Sequence, residues 1–167
     1  MPHALKNPKT LILVRHAHRD TDAGRRLDNG LSERGHAQAT QIEKLFLSRY
    51  PEIVKPVLLS SPSKRCRETL EPIAKSRKVP VKIDRELGEQ TGDESGRDFQ
   101  KRIGKFIDGF LGRDHELEVC CSHGDWIPIC LELLAIGAID LKKGGWAEIR
   151  WKKKAPVLWH LRQEIIC

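Results

Sequence analysis

Three stretches of this chain carry residues of one chemical kind directly after a short apolar run. Leu11 to Val14 run into Arg15 and His16. Pro56-Val-Leu-Leu-Ser60 leads through Ser61 to Arg65, and Glu118-Val-Cys-Cys-Ser122 ends in His123. A short continuous apolar run reads as a strand buried on both faces. The carboxyl ends of such strands are where open α/β sheets bind their ligands. If the three strands are parallel neighbours, two arginines and two histidines converge at one edge. That set suits a dianionic phosphate, because arginine makes paired, charge-assisted bonds to phosphate oxygens.

The chemistry expected of such a set is phosphoryl transfer. Positive charge around a histidine favours its neutral form, and neutral imidazole is the nucleophilic one. His16 is therefore the candidate nucleophile, attacking phosphorus to form a phosphohistidine. Arg15, Arg65 and His123 would neutralise the charge that builds on the equatorial oxygens. A departing alkoxide needs a proton, and two carboxylates are candidates for that general acid. One is Glu89, in the acidic loop Leu87-Gly-Glu-Gln-Thr-Gly-Asp-Glu-Ser-Gly96, and the other is Asp125, two residues beyond His123.

Positioning these groups requires alternating strands and helices. The spacing predicts a helix from about Ser32 to Arg49, with Ser32 as its cap, Glu33 in its first turn and Ala37, Ile42, Leu45 and Phe46 as its apolar side. A second helix opens around Ser61-Pro62 and ends near Arg77. Val79 to Ile83 reads as a short strand, which its proline assigns to a sheet edge. Arg97 to Leu111 and Asp125 to Gly137 read as further helices, the first with Phe99, Ile103, Phe106, Ile107 and Phe110 on one side. Trp146 to Trp151 and Pro156 to Leu161 alternate as a hairpin would. The pattern predicts a mostly parallel sheet with helices on both faces, a three-layer α/β/α sandwich. No linker or repeat divides the chain, so residues 1–167 are expected to form a single domain.

Composition narrows the partners. The 167 residues carry a formal charge of +7, and 39% of them are hydrophobic. That balance describes a globular chain with an anionic partner. Aromatic residues make up only 5% and are not interleaved with the basic runs, which argues against nucleic acid. Lys142-Lys143 and Lys152-Lys-Lys154 read as solvated surface. No run approaches the ~18 apolar residues of a membrane span. Residues 1–9 lack the apolar core of a signal peptide, so a cytoplasmic location is expected. The five cysteines form no CxxC pair and are odd in number, which points to reduced thiols and away from a zinc site. His18, His36 and His115 are expected to be surface or packing residues, and Cys66 a packed one.

Four motifs then fall in order: Leu13-Val-Arg-His-Ala17, Leu31-Ser-Glu-Arg-Gly-His-Ala-Gln-Ala39, Ser60-Ser-Pro-Ser-Lys-Arg-Cys-Arg-Glu-Thr69 and Ser122-His-Gly124. Together they resemble the histidine phosphatase superfamily, the phosphoglycerate-mutase-like group, over roughly residues 10 to 137. The resemblance implies a phosphoglycerate-mutase-like sandwich, His16 as phospho-acceptor, and Arg15, Arg65 and His123 as the phosphate pocket, with no cofactor and no metal. Glu89 follows Leu87 with the family's Leu-x-Glu spacing. Arg-His-Ala in place of the commoner Arg-His-Gly resembles the small SixA-type phosphohistidine phosphatases. The chain also lacks the long insertion that caps the pocket of mutases.

An uncovered pocket would admit a phosphohistidine on a protein surface, and equally a small phosphorylated metabolite. The expectation is therefore a metal-independent phosphatase acting on a phosphorylated protein, monomeric or weakly dimeric. The alternatives are a broad phosphomonoesterase for sugar or nucleotide phosphates, a non-catalytic phosphate-binding module, and a metal hydrolase built on His16-Ala-His18.

Overall fold

A computed structural model describes residues 9–153 and 155–164. Most of the amino-terminal stretch searched for a signal, together with Lys154 and Cys167, lies outside the described residues. Six strands form one mixed sheet: β1 (Thr10–Arg15), β2 (Val57–Ser60), β3 (Val81–Ile83), β4 (Leu117–Ser122), β5 (Trp146–Lys152) and β6 (Ala155–Arg162). Their spatial order is β3-β2-β4-β1-β5-β6. The first four run parallel, β5 pairs antiparallel with β1, and the β5–β6 hairpin completes the sheet.

The apolar run Leu11 to Val14 is fully buried because it lies inside this sheet and feeds two cores. Leu11 and Leu13 face α3 (Gly96–Gly112) and α4 (Trp126–Leu133), packing with Phe99, Phe106, Phe110 and Trp126. Ile12 and Val14 face α1 (Glu33–Arg49) and α2 (Lys64–Arg77), packing with Ile42, Phe46, Leu70 and Ile73. Successive strand residues point to opposite faces, so one strand supplies both sides of the expected α/β/α sandwich. Among the described residues, no helix is long and apolar enough to cross a membrane.

The elements follow the predicted spacing, with shifts at their ends. Ser32 caps α1 by accepting the Gly35 amide at 3.1 Å. Ala37, expected on the apolar side of α1, is exposed instead. The second helix starts at Lys64 rather than at Pro62, and Ser63 occupies the cap position. β3 loses Val79 and Pro80 because the Val79 amide closes the end of α2, donating to the Ala74 carbonyl at 3.0 Å. The proline's prediction of an edge strand holds. α4 stops at Leu133, four residues early, where Ala135 and then Gly137 turn the backbone to positive φ.

Two buried carboxylates sit in the sheet. Glu118 of β4 is met by both arms of the Arg113 guanidinium at 2.8 and 2.9 Å. Glu148 of β5 lies between Arg49 and Arg150, each at 2.8 Å. Burying a carboxylate is tolerated only when it is paired in this way. Cys66, Cys120, Cys121 and Cys130 are free thiols in the interior.

Candidate active site

Register brings the candidate residues together. Arg15 stands opposite Ser122 across β1 and β4, and Ser60 opposite Cys121 across β2 and β4. The ladder continues one residue past each strand. The His16 amide donates to the Ser122 carbonyl at 3.0 Å and the Ser61 amide to the Cys121 carbonyl at 3.1 Å. His16, Ser61 and His123 thereby arrive side by side, with the two imidazole rings 5.4 Å apart and tilted by 60°.

His16 is nearly buried, at 6% exposure. Its Nδ1 lies 2.8 Å from the Ala17 carbonyl. A carbonyl can only accept, so Nδ1 carries the proton and Nε2 keeps its lone pair. Burial, together with the nearby His123, Arg65 and Arg15, lowers the pKa of this histidine from 6.5 to about 3, against the opposing pull of the Ala17 carbonyl. The ring is thus neutral and held in the tautomer that presents a nucleophilic Nε2. Ala17 is itself fixed, its amide donating to Thr69 Oγ1 at 3.0 Å.

The two arginines are held by different devices. Arg15 Nη1 donates to the Leu141 carbonyl at 2.6 Å, and its guanidinium passes over Gly124. Arg65, at the head of α2, is 5% exposed and donates from Nη2 to Glu89 Oε1 at 2.9 Å and to His123 Nδ1 at 3.3 Å. With Nδ1 accepting, Nε2 of His123 carries the proton and donates to Ser61 Oγ at 2.7 Å. The Nε groups of both Arg15 and Arg65 are buried without a hydrogen-bond partner. Buried guanidinium N–H donors are almost always satisfied, so two orphans beside one neutral histidine mark a place for an anion.

Glu89 reaches the pocket from the loop after β3. Its side chain is 57% exposed, pairs with Arg65, and has Oε2 3.6 Å from His123 Nδ1. Arg102 of α3 clamps the backbone that presents it, donating to the carbonyls of Glu86, Gly88 and Glu89 at 2.9, 2.9 and 3.2 Å. Asp125 serves the same loop. Its Oδ2 accepts the Gln90 amide at 2.8 Å, and its side chain does not cap α4. Of the two proton-donor candidates, Glu89 touches the cluster, and Asp125 holds the segment that carries it.

Asp28 has no counterpart in the sequence reading. It sits in the loop between β1 and α1 and accepts the backbone amides of Lys64 and Arg65, the cap that Ser63 does not supply. Its Oδ1 also stands 3.4 Å from Arg65 Nη1. Burial opposes its charge, but the Lys64 amide and Arg65 outweigh that and hold the carboxyl below its ordinary pKa. Nothing in the local spacing marks this aspartate, since its role depends on a helix 36 residues away. Ser61 was legible only as part of a motif. Its hydroxyl becomes a site group because β2 lies beside β4.

His18 is placed elsewhere. Its Nδ1 pairs with Ser32 Oγ at 2.8 Å at the head of α1. Among the described residues, no group of three or more His, Cys, Asp or Glu side chains is arranged to hold a metal ion. Cys66 is packed as expected, with its Sγ 3.6 Å from His123 Nε2. Lys143 departs from the solvated reading: it is partly buried and lies among arginines near the pocket.

This sheet edge gathers a neutral, oriented histidine, two partly unsatisfied arginines and a second histidine, a set of donors suited to an anion. The model of the histidine phosphatase superfamily (branch 1) matches residues 11–93, and the chain belongs to that superfamily. Solved structures agree in fold. The similar structures include YhfR of Bacillus stearothermophilus, 18% identical, with a TM-score of 0.75 over 95% of this chain and 98% of that one. They also include the phosphoserine phosphatase of Entamoeba histolytica in complex with 3-phosphoglyceric acid, 19% identical, with a TM-score of 0.72 over 93% and 98%. A mycobacterial glucosyl-3-phosphoglycerate phosphatase complexed with VO3, 20% identical, superposes with a TM-score of 0.69 over 92% and 97%. No curated protein is significantly similar to the chain in sequence. By its family, the protein is a phosphatase.

Proposed function

We propose that the protein is a metal-independent phosphatase, acting as one histidine phosphatase domain, that passes the phosphoryl group through His16 and takes it from phosphohistidine on a protein. The observation that carries the reading is the pairing of a neutral His16, its Nδ1 proton given to Ala17, with the unpartnered Nε groups of Arg15 and Arg65.

In the first step the Nε2 lone pair of His16 attacks phosphorus, and the bond from phosphorus to the leaving atom breaks. Arg15 and Arg65 donate to the equatorial oxygens, where charge spreads in a loose transition state. His123, held by Ser61 and Arg65, lines the same space. Glu89 is the group positioned to bring a proton to an oxygen leaving group from solvent, because it is half exposed and already touches Arg65 and His123. In the second step water attacks the phosphohistidine, phosphate leaves, and His16 returns to its neutral tautomer. An imidazole leaving group asks less of Glu89 than an alkoxide does.

Both long segments beside the pocket, residues 16–32 between β1 and α1 and the Glu89 loop, are stitched back onto the body of the fold, and this supports a protein substrate. The second reading, a small phosphomonoester, is favoured by the small phosphorylated molecules named for the Entamoeba and mycobacterial enzymes. An assay of phosphohistidine proteins against a panel of sugar and nucleotide phosphates decides between them. Higher kcat/KM on the proteins is expected, and a clear preference for the panel would reverse the order. The intermediate has its own test. Rapid quenching should trap labelled phosphate in an acid-labile, alkali-stable form, absent in His16→Ala, and turnover with no such adduct would refute the nucleophile.

A further inference from the structure

Beside the phosphate pocket stands a group of cations that the proposed chemistry does not use. Arg19 follows His16 by three residues, and its Nη2 donates to the Arg25 backbone carbonyl at 3.0 Å, which holds the Arg19 guanidinium against the loop segment that carries Arg25. Lys143 is tied to the same edge through its neighbour. The Gly144 amide donates to the carbonyls of both Arg15 and His16, at 3.1 and 3.2 Å. Gln38 makes a second tie, accepting the His18 amide at 2.8 Å and donating to the Lys143 carbonyl at 3.4 Å.

No carboxylate among the described residues pairs with Arg15, Arg19, Arg25 or Lys143, whereas Arg34, further out, pairs with Glu164 at 3.4 Å. Of the loop's three acids, Asp20 accepts the Asp22 amide, Asp28 is committed to α2, and Asp22 is exposed; none of them forms an ion pair with these four cations. Partial burial first, and then Arg15, Arg19, Arg25 and Arg34, hold the Lys143 ammonium below its usual pKa. Unpaired like charges gathered at a pocket mouth raise the local concentration of an anion of matching shape.

We propose that Arg19, Arg25 and Lys143 form a second anion subsite, which receives a carboxylate that the substrate carries beside its phosphoryl group. This rests on the reading of the chain as a phosphatase acting through His16. The carboxylate is supplied either by acidic residues flanking a phosphorylated side chain or by a small phosphorylated acid. The subsite is built from one exposed and two half-buried cations, unlike the buried guanidinium N–H donors of the phosphate pocket. It therefore contributes to binding and steering more than to the chemical step.

The test compares matched substrates that differ in a carboxylate. One arm sets phosphohistidine peptides flanked by glutamates against the same peptides flanked by alanines, and the other sets phosphoserine against phosphoethanolamine. In at least one arm, kcat/KM should favour the carboxylate substrate by about tenfold, falling as salt is raised. A preference confined to the peptides assigns the carboxylate to a protein, and one confined to phosphoserine assigns it to a small acid. In Arg25→Glu and Lys143→Gln each enzyme's own ratio is the readout, and it should fall towards one. A ratio of one in both arms of the unaltered enzyme, or a preference that survives both substitutions, overturns the subsite. Hydrolysis of p-nitrophenyl phosphate by the unaltered enzyme reports separately on the phosphatase reading. Its absence would count against His16 rather than against the subsite.

Discussion

A β-carbon placed on Gly124 would stand 2.6 Å from Cζ of Arg15. The glycine after His123 is therefore the floor over which the pocket's first arginine lies. Gly124→Ala should leave the fold intact and displace the guanidinium. A displacement of about 1 Å in a positioned group can cost about 10²-fold, so kcat/KM on p-nitrophenyl phosphate should fall by about that factor with an unchanged melting temperature. Full activity in this variant would show that Arg15 does not need its observed position.

Asp28 ties a loop to both the head of α2 and the guanidinium of Arg65. Removing a helix cap costs about 1 kcal/mol. Asp28→Ala should therefore lower the urea midpoint by a corresponding amount and raise KM, because Arg65 loses one of its two carboxylate partners. Asp28→Asn, which can still accept the amides, should recover the stability and leave KM raised. Equal recovery of both would separate Asp28 from the site.

His16 makes stability depend on pH. An unfolded histidine titrates near 6.5, whereas the buried His16 does so at about 3. Between these values the unfolded chain holds a proton that the folded chain does not, so stability rises with pH across this window and falls as the solution is acidified through it. Urea midpoints followed from pH 7 to pH 4 should decline, and the decline should be shallower in His16→Gln. Parallel slopes would mean that His16 is protonated in the folded protein.

Arg113 is the partner of the fully buried Glu118. Removing one member of a buried pair strands the other charge. Because Arg113 is about one-third exposed, water can partly replace it, and Arg113→Ala should cost about 2–4 kcal/mol in chemical denaturation. Activity per folded molecule should be retained. The double variant with Glu118→Leu should be more stable than Arg113→Ala alone. If it is not, the burial of Glu118 is not what the arginine compensates.

Much of this site was legible because its residues follow strands. The run Leu11 to Val14 could be read as a doubly buried strand, and the polar residues after it as a ligand edge. Helix limits near Ser32 and Arg77 followed from cap and spacing rules. The end of α4 and the loss of Val79 from β3 were not legible, because both depend on how a backbone turns after its last hydrogen bond. Asp28 escapes a reading of the sequence, and Lys143 is misread as solvated, for a related reason. In one dimension the first is a residue in a polar loop and the second one of a lysine pair, and their roles come from partners brought close only by folding.

The sequence by itself determined the chemistry on offer: the apolar periodicities that make the strands and helices, and the order in which arginine, histidine and serine follow them. These are local properties, set by side-chain type and backbone preference. The tertiary structure decided the rest. Sheet order put Ser61 beside His123, the Ala17 carbonyl selected the tautomer of His16, Gly124 let Arg15 lie across it, and burial beside other cations lowered the pKa of His16. A pKa, a tautomer and an unsatisfied donor depend on distances in space, and those distances exist only after the sheet has formed.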